Sequence, residues 1–235
     1  AARKPARPRP ASLRPTRQHA PETRQVQSLY FSGMSIATAT GIGSEAMVAA
    51  LGSMRSGLAP CNFETARLDT WVGQIPDDHL LPVRADLAAF ECRNHRLAQL
   101  CLMQDGFENA VLSARERYGS DRIGVFLGTS TSGILQTELA YRRRDPCSGA
   151  LPADFLYATT QNIYSLAWFV QSYFGLDGPA AVVSTACSSS STASLRTCVP
   201  SALKNHTAGM AATRPTAVVM SASAMPGATT ERSAL

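Results

Sequence analysis

The sequence predicts an α/β protein whose core is a parallel sheet covered by helices. Two short apolar runs of strand length, residues 123–127 and 181–183, are separated by two longer helical stretches, residues 134–143 and 154–174. Turn-forming residues follow the first run and precede the second. Helices that alternate with short buried strands are typical of a layered α/β core with parallel strand pairing.

The chain is long enough for one substantial core, and its net charge is concentrated at one end. It has 235 residues, of which 45% are hydrophobic, and a formal net charge of +5. Residues 1–27 hold seven basic side chains and one acidic side chain, a formal charge of +6, together with five prolines. Proline removes amide donors and prevents a regular helix, so we predict a disordered basic leader over residues 1–27.

This composition excludes several classes of function. A nucleic-acid-binding domain would spread basic residues over a folded face, whereas here they lie in the leader, so we expect no nucleic-acid partner. No apolar run approaches the ~20 residues that span a bilayer, so we expect no membrane partner. The six cysteines (Cys61, Cys92, Cys101, Cys147, Cys187 and Cys198) form no C-x-x-C pair and no Cys/His cluster at zinc spacing, so we expect reduced thiols and a cytoplasmic protein.

The elements before the first core strand follow from local signals. Residues 29–31 predict a short strand, and Ser44 is placed to cap a helix that runs to about Met54 and ends at Gly57. Prolines interrupt residues 58–85, which predicts a loop. Apolar residues at three- and four-residue spacing predict helix over most of residues 86–118, with an interruption at Gly106.

The second half of the pattern leads to Cys187. After the strand at 123–127, residues 128–133 are small and hydroxyl-rich, which predicts a turn with close backbone approach. The helices at 134–143 and 154–174 precede a Gly-Leu-Asp-Gly-Pro turn and a strand that ends at Cys187. The apolar residues 216–220 predict a further strand.

Cys187 is the candidate nucleophile because it lies where an extended run changes into a serine tetrad, residues 188–191. A helix beginning at Ser188 would direct backbone amides and the positive end of its dipole toward the sulfur, which favours the reactive thiolate. Those amides and the amide of Cys187 would also hold the oxyanion of a thioester under attack. From the spacing alone, a packed and inert cysteine remains an open alternative.

Several segments together resemble the β-ketoacyl-acyl-carrier-protein synthases, condensing enzymes of the thiolase-like superfamily. The match follows the family's order from about Ser28 to Ser190, and its most specific part is the run from Val183 through Cys187 to Ser190. The other matching segments are Ser32-Gly33-Met34, Asp69-Thr70-Trp71-Val72-Gly73, Arg93-Asn94-His95-Arg96-Leu97, residues 123–129 and Gly178-Pro179.

The resemblance implies the N-terminal half of a thiolase-like α/β/α fold and a specific chemistry. Cys187 would accept an acyl group from an acyl-carrier-protein or coenzyme A thioester, and its amide would form half of the oxyanion hole. The acyl-enzyme would then condense with a carbanion formed by decarboxylation of malonyl-carrier protein, in fatty-acid or polyketide biosynthesis. Thr131 falls where the family places a side chain at the acyl pocket, close to a homodimer contact. The resemblance implies no metal or redox cofactor.

The resemblance weakens after residue 190, so we divide the chain into a leader (1–27), a synthase N-terminal domain (28–190) and a divergent or truncated segment (191–235). The family carries two catalytic histidines and a lysine in its C-terminal half. We assign the catalytic role to none of the four histidines of this chain. His19 is predicted to lie in the leader, His79 in a loop, His95 at a solvated or capping position of a helix, and His206 after Pro200. We therefore expect an incomplete fold that acylates slowly and does not elongate.

Three other functions are compatible with the sequence. A thiolase shares the fold and the cysteine but condenses without decarboxylation, and the Ser-Thr-Ala-Cys-Ser-Ser-Ser run favours the synthase over it. A non-catalytic remnant would act only by pairing with partner subunits. Nucleic-acid binding by the basic leader is the weakest of the three.

Overall fold

The computed structural model describes residues 32–63, 68–185, 188 and 189, and the backbone of residues 216–222. The leader and the strand predicted at residues 29–31 lie outside the described residues. The strands are β1 (Ala37–Thr38), β2 (Gly41–Ile42), β3 (Leu58–Pro60), β4 (Trp71–Gly73), β5 (Ile123–Thr129), β6 (Ala180–Val183) and β7 (Thr216–Ala222). The α-helices are α1 (Ser44–Gly52), α2 (Arg93–Leu102), α3 (Phe107–Tyr118), α4 (Ile134–Arg142) and α5 (Ser165–Phe174).

Three parallel strands in the order β6-β5-β7 form the main sheet of the described residues. Six of the seven residues of the central strand β5 are buried, as expected of a parallel strand covered on both faces. Gly128 of β5 lies opposite Val183 of β6, and Thr129 lies opposite Ala222 of β7. The predicted parallel α/β core is therefore confirmed, as is the strand expected at residues 216–220.

The hydrophobic core lies between this sheet and the helices α3 and α5. Helix α5 packs against β5 and β6, and α3 packs against β5 and β7. Phe169, Leu166 and Val170 of α5 are completely buried, as are Val125 and Leu127 of β5. Gly106, in the left-handed conformation at φ 72°, separates α2 from α3 where the interruption was predicted.

The loop expected over residues 58–85 contains an antiparallel hairpin, so that expectation was wrong in part. Strands β3 and β4 pair with Leu58 opposite Gly73 and Pro60 opposite Trp71. In the described part of the chain this hairpin is a two-stranded sheet in which both strands are edges. An edge strand tolerates a proline, which is why Pro60 does not prevent pairing.

Helix α1 starts at Ser44 as predicted, but Ser44 does not cap it. The Ser44 amide and hydroxyl both donate to Asp105 Oδ1, at 2.8 and 2.7 Å. The acceptor for the helix N-terminus thus comes from the connection between α2 and α3, far away in sequence. The helix also ends at Gly52, slightly earlier than predicted.

The helix predicted over residues 154–174 is divided into two parts. A π-helical turn covers Tyr157–Gln161, and α5 begins only at Ser165. Between them Asn162 is extended, and its side-chain oxygen accepts the Tyr164 amide at 2.8 Å. An asparagine side chain that bonds the nearby backbone competes with helix formation, which explains the break.

Among the helices that the structure describes, none has the length and apolar character needed to cross a membrane.

Candidate active site

The carboxyl ends of β5 and β6 form the edge at which the candidate site lies. The two strands are parallel and in register up to Gly128 and Val183, so the chain leaves both strands at the same edge. In open α/β sheets, ligands bind outside this edge. Cys187 itself lies outside the described residues, but Thr185 and Ser188, two residues before it and one residue after it, are described.

The turn after β5 is buried and tightly packed. Thr129 and Ser132 are 2% and 8% exposed, and the Ser132 amide donates to Thr129 Oγ1 at 3.1 Å. Ser132 adopts a left-handed φ of 45°, uncommon for a residue with a Cβ. Its hydroxyl is buried without a hydrogen-bond partner among the described residues. Thr131, the acyl-pocket candidate, is half-buried in this turn.

Gly133 explains why small residues are needed in this turn. A Cβ at this position would lie 2.0 Å from the carbonyl oxygen of Thr160, in the π-helical turn. The close backbone approach predicted for residues 128–133 is therefore an approach to another part of the chain. It holds the start of α4 against residues 157–161.

The chain after β6 is attached to the turn after β5 by serine hydroxyls. The Ser184 hydroxyl donates to the Ser130 carbonyl at 3.3 Å. The Ser189 hydroxyl donates to the Thr129 carbonyl at 3.0 Å and accepts the Thr185 amide at 2.8 Å. Ser189 is 3% exposed, so both of its bonds are shielded from water. The described residues on both sides of Cys187 are thus tied to the end of the central strand.

One local expectation differs from the structure. The Ser188 amide was expected to be among the donors directed at the sulfur, but it donates to the Thr185 carbonyl at 3.2 Å. The Ser188 hydroxyl donates to the same carbonyl at 2.9 Å. The amide of Cys187, the other expected oxyanion donor, lies outside the described residues, as does the body of the helix expected to begin at Ser188.

His95 is a core residue, so the expected solvated or capping position was wrong. Its side chain is fully buried, and its ring stacks on Phe169 with centroids 4.9 Å apart. Nδ1 lies 2.7 Å from the Phe90 carbonyl and therefore carries the proton, while Nε2 lies 3.4 Å from the Ser165 hydroxyl. Of the other histidines, His79 is exposed, and His19 and His206 lie outside the described residues.

Cys92 and His95 lie together but do not form an activated thiol. Cys92 Sγ is 3.1 Å from His95 Nδ1, whose proton is already directed at the Phe90 carbonyl. Burial raises the pKa of Cys92 to about 11 and lowers the pKa of His95 to about 4. Both groups are therefore neutral near pH 7, whereas an activated pair would be thiolate and imidazolium. This pair is inert packing.

The described residues contain no group of three or more His, Cys, Asp and Glu side chains that could hold a metal ion. A groove of about 350 Å³ lies elsewhere, between α2 and α4, and is lined by residues such as Arg93, Arg96 and Leu139. It includes no residue of the turn after β5 or of the chain after β6. The features that define the candidate site are the ends of β5 and β6 and the serine hydroxyls that connect the chain beyond them.

Sequence reasoning identified the edge of the sheet but missed Ser132 and Ser189. The available signal for Ser189 was the serine tetrad, which does not reveal which of its members is buried. The left-handed backbone of Ser132 had no signal in the sequence, because glycine or asparagine usually marks such a position.

The described site combines a parallel α/β sheet with a buried, serine-containing turn at the end of its central strand, and Cys187 follows β6 by four residues in the sequence. The family model for the N-terminal domain of β-ketoacyl synthases matches residues 30–213. The chain therefore belongs to the β-ketoacyl synthase family, and the resemblance found in its motifs is confirmed.

A solved structure supports the same assignment. It is a ketosynthase (ApeO) in complex with its chain length factor (ApeC) from Xenorhabdus doucetiae, with 25% sequence identity and a TM-score of 0.59. The alignment covers 75% of this chain and 44% of that chain, so the present chain spans less than half of that ketosynthase structure. The fold is thus part of a thiolase-like α/β fold, as predicted. A search of curated proteins gave no match.

Proposed function

We propose that this chain is the acyl-accepting half of a condensing acyltransferase, with Cys187 as the nucleophile. The observation that carries the proposal is the attachment of Thr185 and Ser189, on either side of Cys187, to each other and to the end of β5. A nucleophile is most effective when its backbone is held rigidly at a strand end that ligands approach. The division into a leader (1–27), a synthase domain (28–190) and a C-terminal segment (191–235) belongs to the same proposal.

The chemistry that we assign to Cys187 has two stages. Its thiolate attacks the carbonyl carbon of an acyl thioester, and collapse of the tetrahedral intermediate expels the carrier thiolate and leaves an acyl-enzyme. The Cys187 amide stabilises the oxyanion of that intermediate. In the second stage malonyl-carrier protein loses carbon dioxide, and its carbanion attacks the acyl-enzyme, which releases Cys187 and extends the chain by two carbons. Thr131 borders the acyl chain.

The proposed substrates and partners follow from this chemistry. The acyl and malonyl groups arrive as thioesters of an acyl carrier protein, in fatty-acid or polyketide synthesis. Cytosolic thiols are kept reduced, so we propose the cytoplasm as the compartment in which Cys187 works. The solved relative was found with a chain length factor. We propose that this chain also works in a dimer, either with a second copy or with a related subunit.

A test of acyl transfer is direct. The purified chain is incubated with a short acyl-coenzyme A, and the mass of each cysteine-containing peptide is measured. We expect a slow acyl adduct on Cys187 and none after Cys187→Ala, whereas Cys147→Ala, which removes an exposed thiol, leaves the adduct in place. An adduct spread equally over the cysteines would contradict the proposal.

A second incubation separates acylation from elongation. With acyl- and malonyl-carrier protein, we expect these 235 residues alone to give no β-ketoacyl product. The expectation rests on the described histidines: His95 is fully buried and His79 is exposed in a short 3-10 helix, so we assign neither to decarboxylation. Formation of the β-ketoacyl product would overturn it. Condensation of two acetyl-coenzyme A molecules would instead support a thiolase.

A further inference from the structure

We propose that Ser189 is a positioning residue for Cys187, which extends the proposed function and rests on it. Ser189 lies two residues after the cysteine and is buried against the end of β5. Its single hydroxyl connects three chain positions: its own, Thr185 and Thr129.

The hydrogen bonds of this hydroxyl have fixed roles. The Thr129 carbonyl can only accept, so the Ser189 hydroxyl donates its proton there, at 3.0 Å. The Thr185 amide can only donate, so it uses a lone pair of the same oxygen, at 2.8 Å. A serine or threonine hydroxyl donates and accepts on the same atom, whereas alanine does neither. Replacing it by alanine leaves two backbone groups to find new partners.

These two hydrogen bonds form a bridge from Thr185 through the Ser189 hydroxyl to Thr129. The location of this bridge gives it an effect on Cys187. Thr185 and Ser189 are four residues apart, and the bridge fixes the distance between them. The three residues between them include Cys187 at their centre. Because the same hydroxyl is bonded to Thr129, it also holds the described ends of this short segment, Thr185 and Ser189, against the end of β5, from which the turn that carries Thr131 continues. We infer that the bridge limits the positions open to Cys187, because both ends of the short segment that contains it are held.

The neighbouring serines do not share these properties. Ser184 and Ser188 are exposed, where water can replace a lost hydroxyl. Ser184 also lies outside the segment between Thr185 and Ser189, although its hydroxyl bonds a carbonyl of the same turn. Ser184→Ala is thus a matched control that removes a similar bond without changing the bridge.

The experiment measures alkylation of Cys187 by iodoacetamide, peptide by peptide, between pH 5.5 and pH 9 in the full chain. For Ser189→Ala we expect the rate constant at pH 7 to fall about tenfold or more, since small displacements of a reacting group have effects of this size. We expect its pH profile to move toward that of an ordinary thiol, near ~8.5. Ser189→Thr keeps the hydroxyl and should stay closer to the wild-type profile than Ser189→Ala. Ser184→Ala removes an exposed bond to the same turn but keeps the bridge, so it should lower the rate clearly less than Ser189→Ala does.

Other outcomes separate this inference from the proposed function. A reactive Cys187 whose rate and pH profile are the same in folded Ser189→Ala overturns the positioning role alone. A wild-type Cys187 that reacts no faster than Cys147 overturns the proposed function, and the positioning role with it.

A measurement on the wild-type chain covers the case in which Ser189→Ala does not fold. The bridge predicts that the Thr185 amide exchanges its hydrogen as slowly as buried amides of β5, although the Thr185 side chain is exposed. Rapid exchange at Thr185 would show that the bridge does not persist and would overturn the inference.

Discussion

At the residue scale, the cysteines of this chain differ in what their surroundings do to the thiol. Burial raises the pKa of Cys92 to about 11, so only ~1 in 10,000 molecules carries a thiolate there at pH 7. Burial also raises the pKa of Cys101, whose sulfur lies 3.5 Å from the Ser35 hydroxyl. Cys147 is exposed. These cysteines therefore serve as references for the reactivity of the Cys187 thiol within the same chain.

The first prediction is an order of alkylation rates. With limiting iodoacetamide at pH 7, Cys187 should react fastest, Cys147 at the rate of an ordinary exposed thiol, and Cys92 slowest by at least about 100-fold. Quantitative peptide mass spectrometry gives the three rates from one sample, and repetition in denaturant should make them equal. If Cys147 reacts faster than Cys187 in the folded chain, the nucleophile assignment is wrong.

The second prediction concerns His95 and acid stability. Burial lowers the pKa of His95 from its usual 6.5 to about 4, with Glu91 as the charged neighbour that partly opposes the shift. Between these values the unfolded chain binds a proton that the folded chain does not, so stability falls as the pH decreases from about 6.5 to about 4. A shift of this size corresponds to a loss on the order of 3 kcal/mol.

The measurement is the denaturant midpoint at pH 7 and pH 5. His95→Phe removes the titrating group and keeps an aromatic ring beside Phe169, so it should be less stable at pH 7, because the Phe90 carbonyl loses its donor, and less sensitive to acid. His79→Gln, at an exposed site, should behave as the wild type. An equal acid dependence in His95→Phe would contradict this account.

At the element scale, the junction between the turn after β5 and the π-helical turn is set by Gly133. A Cβ at Gly133 would be 2.0 Å from the Thr160 carbonyl oxygen, so Gly133→Ala must displace backbone. We predict a loss of about 2 kcal/mol or more in the free energy of unfolding. Gly52→Ala, in α1 with nothing within 4 Å of the added Cβ, should instead stabilise by roughly 0.5–1 kcal/mol. Equal effects of the two substitutions in chemical denaturation would contradict the packing.

The N-terminus of α1 provides the fourth prediction. Hydrogen bonds from the side chain and the amide of Ser44 lower the pKa of Asp105. Asp105→Ala should cost roughly 1 kcal/mol, the usual value for loss of a helix cap. Asp105→Asn keeps an acceptor and tolerates the left-handed φ of 55°, so it should cost less. The wild-type advantage over Asp105→Ala should be full at neutral pH and shrink toward that of Asp105→Asn as the pH falls through the lowered pKa, which thermal unfolding at two pH values measures.

These elements show which features are accessible from sequence. Helix α3 and strand β5 were predictable because periodicity and a short apolar run are local signals. The Asp105 cap was not, because the acceptor lies 61 residues from Ser44. The hairpin of β3 and β4 was hidden because both strands have three residues, too few for an alternating pattern. In the site, the edge followed from strand order, whereas the burial of Ser189 depends on Thr129, 60 residues away.

At the scale of the whole molecule, one cluster of aromatic side chains joins the helices to the sheet. Phe169 of α5 lies with its ring centroid 4.9 Å from that of His95, and it also contacts Phe90 and Tyr173. The same core includes Val125 and Leu127 of β5. The strand that carries the candidate site is thereby packed against α5, which in turn contacts α2.

The last prediction tests whether this cluster makes the described chain one cooperative unit. Phe169 is completely buried, so Phe169→Ala removes its packing with three rings and leaves a cavity that costs about 3–5 kcal/mol. Trp168→Ala, at the adjacent position that is 41% exposed, should cost less than about 1 kcal/mol. If α5, α2 and β5 unfold together, Phe169→Ala lowers the denaturant midpoint by the same amount in helical circular dichroism and in the alkylation of Cys92. Circular dichroism reports on all helices, whereas alkylation of Cys92 reports on the start of α2. Different midpoints for the two signals would therefore mean that α2 unfolds independently of α5, which would contradict a single cooperative unit.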